Sequence, residues 1–97
     1  MSITVIVELQ AHPGRRDELQ RVFERLLAQH SNGLRGFLGS RRYENRDDPD
    51  TLVEVAEWES ADARDEHMRH ATAEGTYAPL AEHVAAPFRV TVLHPLS

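Results

Sequence analysis

The single tryptophan of the chain, Trp58, ends a strand-like run, Leu52-Val-Glu-Val-Ala-Glu-Trp-Glu-Ser60. Ser60 is placed to cap the helix that follows, and that helix carries His67 and His70. An indole, a strand-to-helix corner and an imidazole are thus tied together locally. Such a corner can wall a pocket for a flat organic molecule. Trp58 would supply an apolar face and one N–H donor; it would equally serve as a core side chain sealing the end of a sheet. His67 titrates near neutrality and is a candidate general base, against the plainer reading of a pocket-rim histidine that only packs. Glu54 shares the Trp58 face of its strand. If helices cover that face, its carboxyl is poorly solvated and its pKa rises, which suits an acid or base. A salt bridge with Arg41 or Arg42 is the competing account. Tyr77 and His83, on a later helical segment, are placed to close the pocket, and Arg41 or Tyr77 to steady an oxyanion. His67 and His70 resemble a bidentate metal pair, but no third strong ligand accompanies them, so no metal is expected.

Composition removes several other chemistries. The 97 residues include no cysteine, which excludes disulfides, thiolate metal sites and a cysteine nucleophile. All 11 basic residues are arginine, which excludes Schiff-base chemistry on lysine and a P-loop lysine. A formal net charge of -5 argues against general nucleic-acid binding, which needs a basic surface. There is no long apolar run for a transmembrane helix. The N-terminus reads directly into a strand without the pattern of a signal peptide, so the expected location is cytoplasmic. No nucleophile elbow, phosphate loop or dinucleotide fingerprint is present.

The candidate residues are positioned by six elements. Ile3 to Gln10 alternates, with Ile3, Val5, Val7 and Leu9 on one face, as in a strand. From Arg15 to about Ser31 the period changes, with Leu19, Val22, Phe23, Leu26 and Leu27 forming the apolar stripe of a helix. Asn32-Gly33 is a plausible stop. Gly36 to Asn45 reads as a second strand, Asn45 to Asp50 as a turn, and Leu52 to Glu59 as a third strand paired antiparallel with the second. A helix from Ala61 to His70 or Ala71 follows, with an interruption at Thr72–Gly75. A second helical piece runs from about Tyr77 to Val84, and Phe88 to Leu93 alternates as a fourth strand. The order β-α-β-β-α-β is the split βαβ, or ferredoxin-like, α+β arrangement: a four-stranded antiparallel sheet with helices on one face, in a single domain over residues 1–97. The other face would bear apolar residues such as Ile6, Val53 and Val55. That surface is too apolar to leave in water, and a second copy packed sheet to sheet covers it, so a homodimer is expected.

Thr4-Val5-Ile6-Val7, Pro13-Gly14-Arg-Arg-Asp-Glu18-Leu19, Gly36-Phe37-Leu38-Gly39, Asp47-Asp48-Pro49 and Glu57-Trp58-Glu59-Ser60, followed by Ala63 and His67, occur in that order from about residue 3 to residue 70. In this series the chain resembles the antibiotic biosynthesis monooxygenase domain family of the dimeric α+β barrel superfamily. The resemblance implies a dimer of ferredoxin-like units, with a pocket in each subunit between sheet and helices. Members include cofactor-independent oxygenases that convert polycyclic phenols or anthrones to quinones. Others oxidise quinols, degrade haem, isomerise small carbonyl compounds or have no known activity, so fold alone does not settle function. The Asn of haem-degrading members is matched here by Val7, which argues against haem degradation. The anthrone oxygenases carry an Asn, a Tyr and a later Arg whose positions fall at Glu54, Arg64 and near Ala78. Of that set only Trp58 is kept, so the polar groups that hold a substrate must differ.

The resulting expectation is a cofactor-independent monooxygenase acting on a phenolic, anthrone or quinol-type aromatic with O2, in a setting such as polyketide or antibiotic biosynthesis. His67 and Glu54 are the expected catalytic residues, and Trp58, Tyr77, Arg41 and His83 the expected substrate contacts. An isomerase or cyclase using the same pocket without oxygen, or a non-catalytic ligand-binding or stress-response dimer, is the alternative.

Overall fold

The computed structural model describes residues 1–30 and 33–96. Strand β1 (Ile3–Gln10) leads into helix α1 (Arg16–His30). Strands β2 (Phe37–Asn45) and β3 (Asp48–Trp58) form a hairpin, followed by helix α2 (Ala61–Glu74), a 3-10 segment (Ala78–His83) and strand β4 (Arg89–Leu93). The four strands make one antiparallel sheet in the order β2-β3-β1-β4. This is the expected βαββαβ arrangement.

Alternation along the two central strands decides which face the helices cover. Ile3, Val5 and Leu9 of β1 and Leu52, Glu54, Ala56 and Trp58 of β3 are buried. Their neighbours Thr4, Ile6, Val53 and Val55 are half-buried on the opposite face. Helix α1 lays Leu19, Phe23 and Leu26 against the covered face, with Val22 and Leu27 partly buried beside them. Full burial of such side chains stabilises the fold by roughly 1.5–3 kcal/mol each. Asp17 and Glu18 occupy the first turn of α1, where the helix dipole favours anions. Of the expected stop, Ser31 and Asn32 lie outside the described residues, and Gly33 takes a positive φ of 76°.

Three boundaries differ from the sequence reading. The hairpin turn is tighter than Asn45 to Asp50, because the Asn45 carboxamide oxygen accepts from the backbone N–H groups of Asp47 and Asp48 at 2.9 and 3.3 Å. That local side-chain turn lets β3 start at Asp48. Helix α2 is not interrupted at Thr72. It continues to Glu74 and ends at Gly75, whose φ of 68° allows its N–H to reach the carbonyls of Ala71 and Thr72. The piece after Tyr77 is a 3-10 turn, with Leu80 buried as its anchor.

The covered face holds two apolar clusters. One gathers Leu9, Leu19, Phe23, Leu26, Leu52 and Leu80; the other gathers Ile3, Val5, Ala56 and Trp58. Val7 packs against both, and opposite Val7 on β3 stands Glu54. A carboxylate thus interrupts what would otherwise be a continuous apolar core, and the cavity described next lies at that break.

Candidate functional site

Each polar group of this cavity is set by its element. Glu54 is in register between Val7 of β1 and Arg42 of β2, in the middle of the sheet. Ser60 caps α2, accepting from the Ala63 N–H at 3.1 Å, and so fixes the direction in which the helix leaves the Trp58 corner. Gly36 locks that corner. Its carbonyl accepts from the Glu59 N–H at 2.8 Å, its φ is +82°, and a Cβ there would stand 2.6 Å from the Ala63 Cβ. With α2 so placed, Arg64 and His67 occupy one face of the helix at i and i+3 and both line the cavity. Tyr77, at the entry to the 3-10 turn, comes in from the far end of α2.

The cavity has a volume of about 110 Å³. Its apolar walls include Val5, Val7, Phe23, Leu26, Phe37 and Trp58. Phe88 and Val90 close the β4 side, and both are exposed, so the cavity reaches solvent there. Aromatic rings run through it in series. The Phe37 and Trp58 centroids are 5.1 Å apart, Trp58 and His67 5.4 Å, and His67 and Tyr77 5.9 Å. The His67 Nε2 lies 2.7 Å from the Tyr77 hydroxyl.

Three titratable groups in this cavity are perturbed in mutually consistent directions. Burial raises the pKa of Glu54, against the opposing effects of a hydrogen bond with Ser40 and the charges of Arg42 and Arg64. Burial lowers that of His67, and the positive charges of Arg64, His30 and His70 lower it further. Burial raises that of Tyr77, helped by the Glu54 charge and opposed by Arg64. At neutral pH His67 is therefore a neutral imidazole and Tyr77 a neutral phenol, while burial makes the Glu54 carboxylate a stronger base than an ordinary one. An apolar slot with one base and a neutral donor pair can bind a flat, proton-bearing aromatic and hold the anion left after proton removal.

The structure brings Glu54, Trp58, His67 and Tyr77 together. It does not bring Arg41 or His83 to them. Phe37 pairs with Trp58 on the covered face, but a register shift between Phe37 and Gly39 reverses the parity of β2. Ser40 and Arg42 then face the helices, and Arg42 donates from Nε to Glu24 of α1 at 3.1 Å. Arg41 stands opposite Val55, exposed on the other face. His83 sits at the opposite end of the 3-10 turn, with its Nδ1 3.5 Å from Glu18 and its Nε2 3.6 Å from Glu82. Nor does the expected Glu54 salt bridge with Arg41 or Arg42 form, since Arg42 is engaged by Glu24. Among the described residues no three potential metal ligands converge, and His70 is exposed. Lining residues not anticipated as contacts include His30, Arg64, Met68 and Phe88. Arg64 was legible in principle, because it lies one helical turn before His67.

The family described as antibiotic biosynthesis monooxygenase matches residues 2–78. Solved structures with this fold include Rv0793 from Mycobacterium tuberculosis, at 26% identity over 100% of this chain and 97% of that one, with a TM-score of 0.80. Another is SnoaB, a cofactor-independent oxygenase from Streptomyces nogalater solved as a mutant, at 19% identity over 99% and 94% of the two chains and a TM-score of 0.80. A third is a conserved protein from Methanosarcina mazei Go1, at 18% identity over 95% and 90% and a TM-score of 0.79. For the last two the likeness is one of fold. No curated protein matches the chain.

Proposed function

The chain belongs to the antibiotic biosynthesis monooxygenase family, and from that premise we propose that it is a cofactor-independent monooxygenase of a phenolic, anthrone or quinol-type aromatic. The observation that carries this reading is the placement of a buried glutamate, Glu54, in the same apolar cavity as the Trp58–His67–Tyr77 series. The oxygenase description of SnoaB is consistent with it.

Ground-state O2 reacts poorly with closed-shell molecules, and a delocalised phenolate or anthrone anion overcomes this by giving up one electron. For an anthrone-type CH2 group, Glu54 takes a proton from carbon. Trp58 and Phe37 hold the ring system, and the Tyr77 hydroxyl donates to the oxygen on which charge develops. In the His67 tautomer that carries its proton on Nε2, that N–H donates to the Tyr77 oxygen and leaves the hydroxyl proton free for the substrate. The anion passes one electron to O2, and the resulting radical and superoxide join in a C–O bond. The peroxide anion regains the proton from Glu54. Loss of water then breaks the O–O bond and the remaining C–H bond at that carbon, leaving a carbonyl. One oxygen atom enters the product, the other leaves as water, and no external reductant is consumed. The apolar walls keep bulk water from quenching the intermediates.

The working unit in this reading is a homodimer. Ile6, Val53 and Val55 form an apolar strip on the sheet face away from the helices, flanked by exposed Tyr43 and Leu93. A second sheet packed there removes the strip from water.

Oxygen uptake with a panel of anthrones and hydroquinones, in chelator and without added cofactor, tests the reaction. Uptake above the uncatalysed rate with at least one of them is expected. None across the panel would contradict the oxygenase, and turnover without oxygen consumption would assign the pocket to an isomerase or cyclase.

A further inference from the structure

Three arginines among the described residues are half-buried: Arg16, Arg42 and Arg64. Two of them have carboxylate partners. Arg16 lies 2.8 Å from Asp17 and 3.6 Å from Glu44, and Arg42 lies 3.1 Å from Glu24. Arg64 has no ion pair and no side-chain hydrogen bond to another described residue. All other arginines are exposed, where water solvates an unpaired guanidinium. The Arg64 guanidinium still reaches water, since no unpartnered side-chain nitrogen among the described residues is buried, and it stands on the wall of the aromatic-lined cavity with no carboxylate engaging it, free to take an anion from a ligand.

We propose that the cavity takes an aromatic carboxylate and that Arg64 binds its carboxylate group. A planar carboxylate matches the fork of N–H donors on a guanidinium. The ring attached to it would lie against Trp58 and His67, since Arg64 precedes His67 by one turn on the same helix face. Glu54 does not fill this role: it stands on the sheet floor of the cavity, beyond ion-pair reach of Arg64, although the two charges influence each other. A neutral aromatic would leave Arg64 unpaired, and a cationic one would be repelled by it. The substrate class of the proposed reaction is thereby narrowed to phenols or anthrones that also bear a carboxylate. This step rests on the same pocket being the ligand site, and its test requires no turnover.

Binding of 2-naphthoate, 2-naphthamide and 2-naphthylmethylammonium is measured by titration calorimetry, with Trp58 fluorescence as an independent readout of pocket occupancy. The chain has one tryptophan, so any ligand-induced change in indole emission reports this wall. Naphthoate is expected to bind about tenfold or more tightly than naphthamide, with the ammonium weakest. In Arg64→Gln the preference for naphthoate should collapse to within about twofold while naphthamide affinity stays as in the wild type, which also shows that the pocket is intact. Arg64→Lys should recover part of the preference. Equal affinity for naphthoate and naphthamide in the wild type, a preference that survives Arg64→Gln, or no binding of any of the three would overturn the proposal. Oxygen uptake on neutral phenols without naphthoate binding would remove the carboxylate class alone. Naphthoate binding without oxygen chemistry would remove the oxygenase alone.

Discussion

The His67 imidazole and the Tyr77 phenol are joined by a 2.7 Å contact between Nε2 and the hydroxyl oxygen, across the gap between α2 and the 3-10 turn. The contact fixes the edge of the imidazole and leaves its face to Trp58, 5.4 Å away. Tyr77→Phe removes it. We expect a stability loss of about 1 kcal/mol, read by urea denaturation, and a turnover loss of about 10²-fold if the hydroxyl donates to the developing oxyanion. His67, whose pKa burial and Arg64 lower, should titrate below the ordinary histidine range by NMR. Between its folded pKa and the unfolded value the unfolded chain binds more protons, so the His67 contribution to stability is present at higher pH and is lost as pH falls through that window. A normal midpoint would show that neither burial nor the Arg64 charge perturbs this imidazole.

Glu54 works in the opposite direction. Its folded pKa is raised by burial, so between the ordinary carboxylate value and the raised one the folded state binds more protons. Its contribution to stability is fully present below the ordinary value and is lost as pH rises through the folded pKa. Glu54→Gln should therefore be more stable than the wild type at about pH 8 and equal to it at about pH 4, while turnover falls by about 10²-fold or more. Unfolding curves at the two pH values decide this. A variant less stable at the higher pH would show that the carboxylate is a structural anchor.

Gly36 couples the loop before β2 to the first turn of α2. Gly36→Ala would place a Cβ 2.6 Å from that of Ala63 at a φ of +82°, and overpacking of this kind costs about 1–3 kcal/mol. The loss should be visible in chemical denaturation and accompanied by a changed Trp58 emission, because the corner holding Trp58 must shift. An unchanged emission would mean that the corner is held independently of this contact.

The open sheet face predicts self-association. Sedimentation at micromolar concentration should give a dimer. Val55→Glu, in the apolar strip opposite exposed Arg41, should shift it towards monomer with little loss of helix signal. A wild type that sediments as a monomer would remove the sheet-to-sheet arrangement.

The covered face was readable because alternation on β1 and β3 is nearly unbroken, and a half-buried strand imposes period 2 on its apolar residues. Trp58, Glu54 and His67 came together for that reason, aided by a Ser60 cap visible in the sequence. Arg41 was misplaced because one extra residue at Leu38–Gly39 reverses every side chain after it. Neither glycine nor leucine at that point announces a bulge. His83 was misplaced because the 3-10 segment rises about 2 Å per residue against about 1.5 Å in the α-helix assumed for it, which carries His83 to the far end beside Glu18 and Glu82. Arg64 was seen at its position without its burial, and burial without a partner depends on what packs around it rather than on sequence spacing.

The central claim is that one oxygen atom of O2 enters an aromatic held beside Glu54. Turnover of an anthrone accepted in the oxygen-uptake panel, under 18O2 with chelator, followed by mass spectrometry of the quinone, tests it directly. One labelled oxygen per product molecule is expected with the wild type, and loss of enzymatic formation with Glu54→Gln. A product whose new oxygen comes from water, or unchanged labelling and rate with Glu54→Gln, would contradict it.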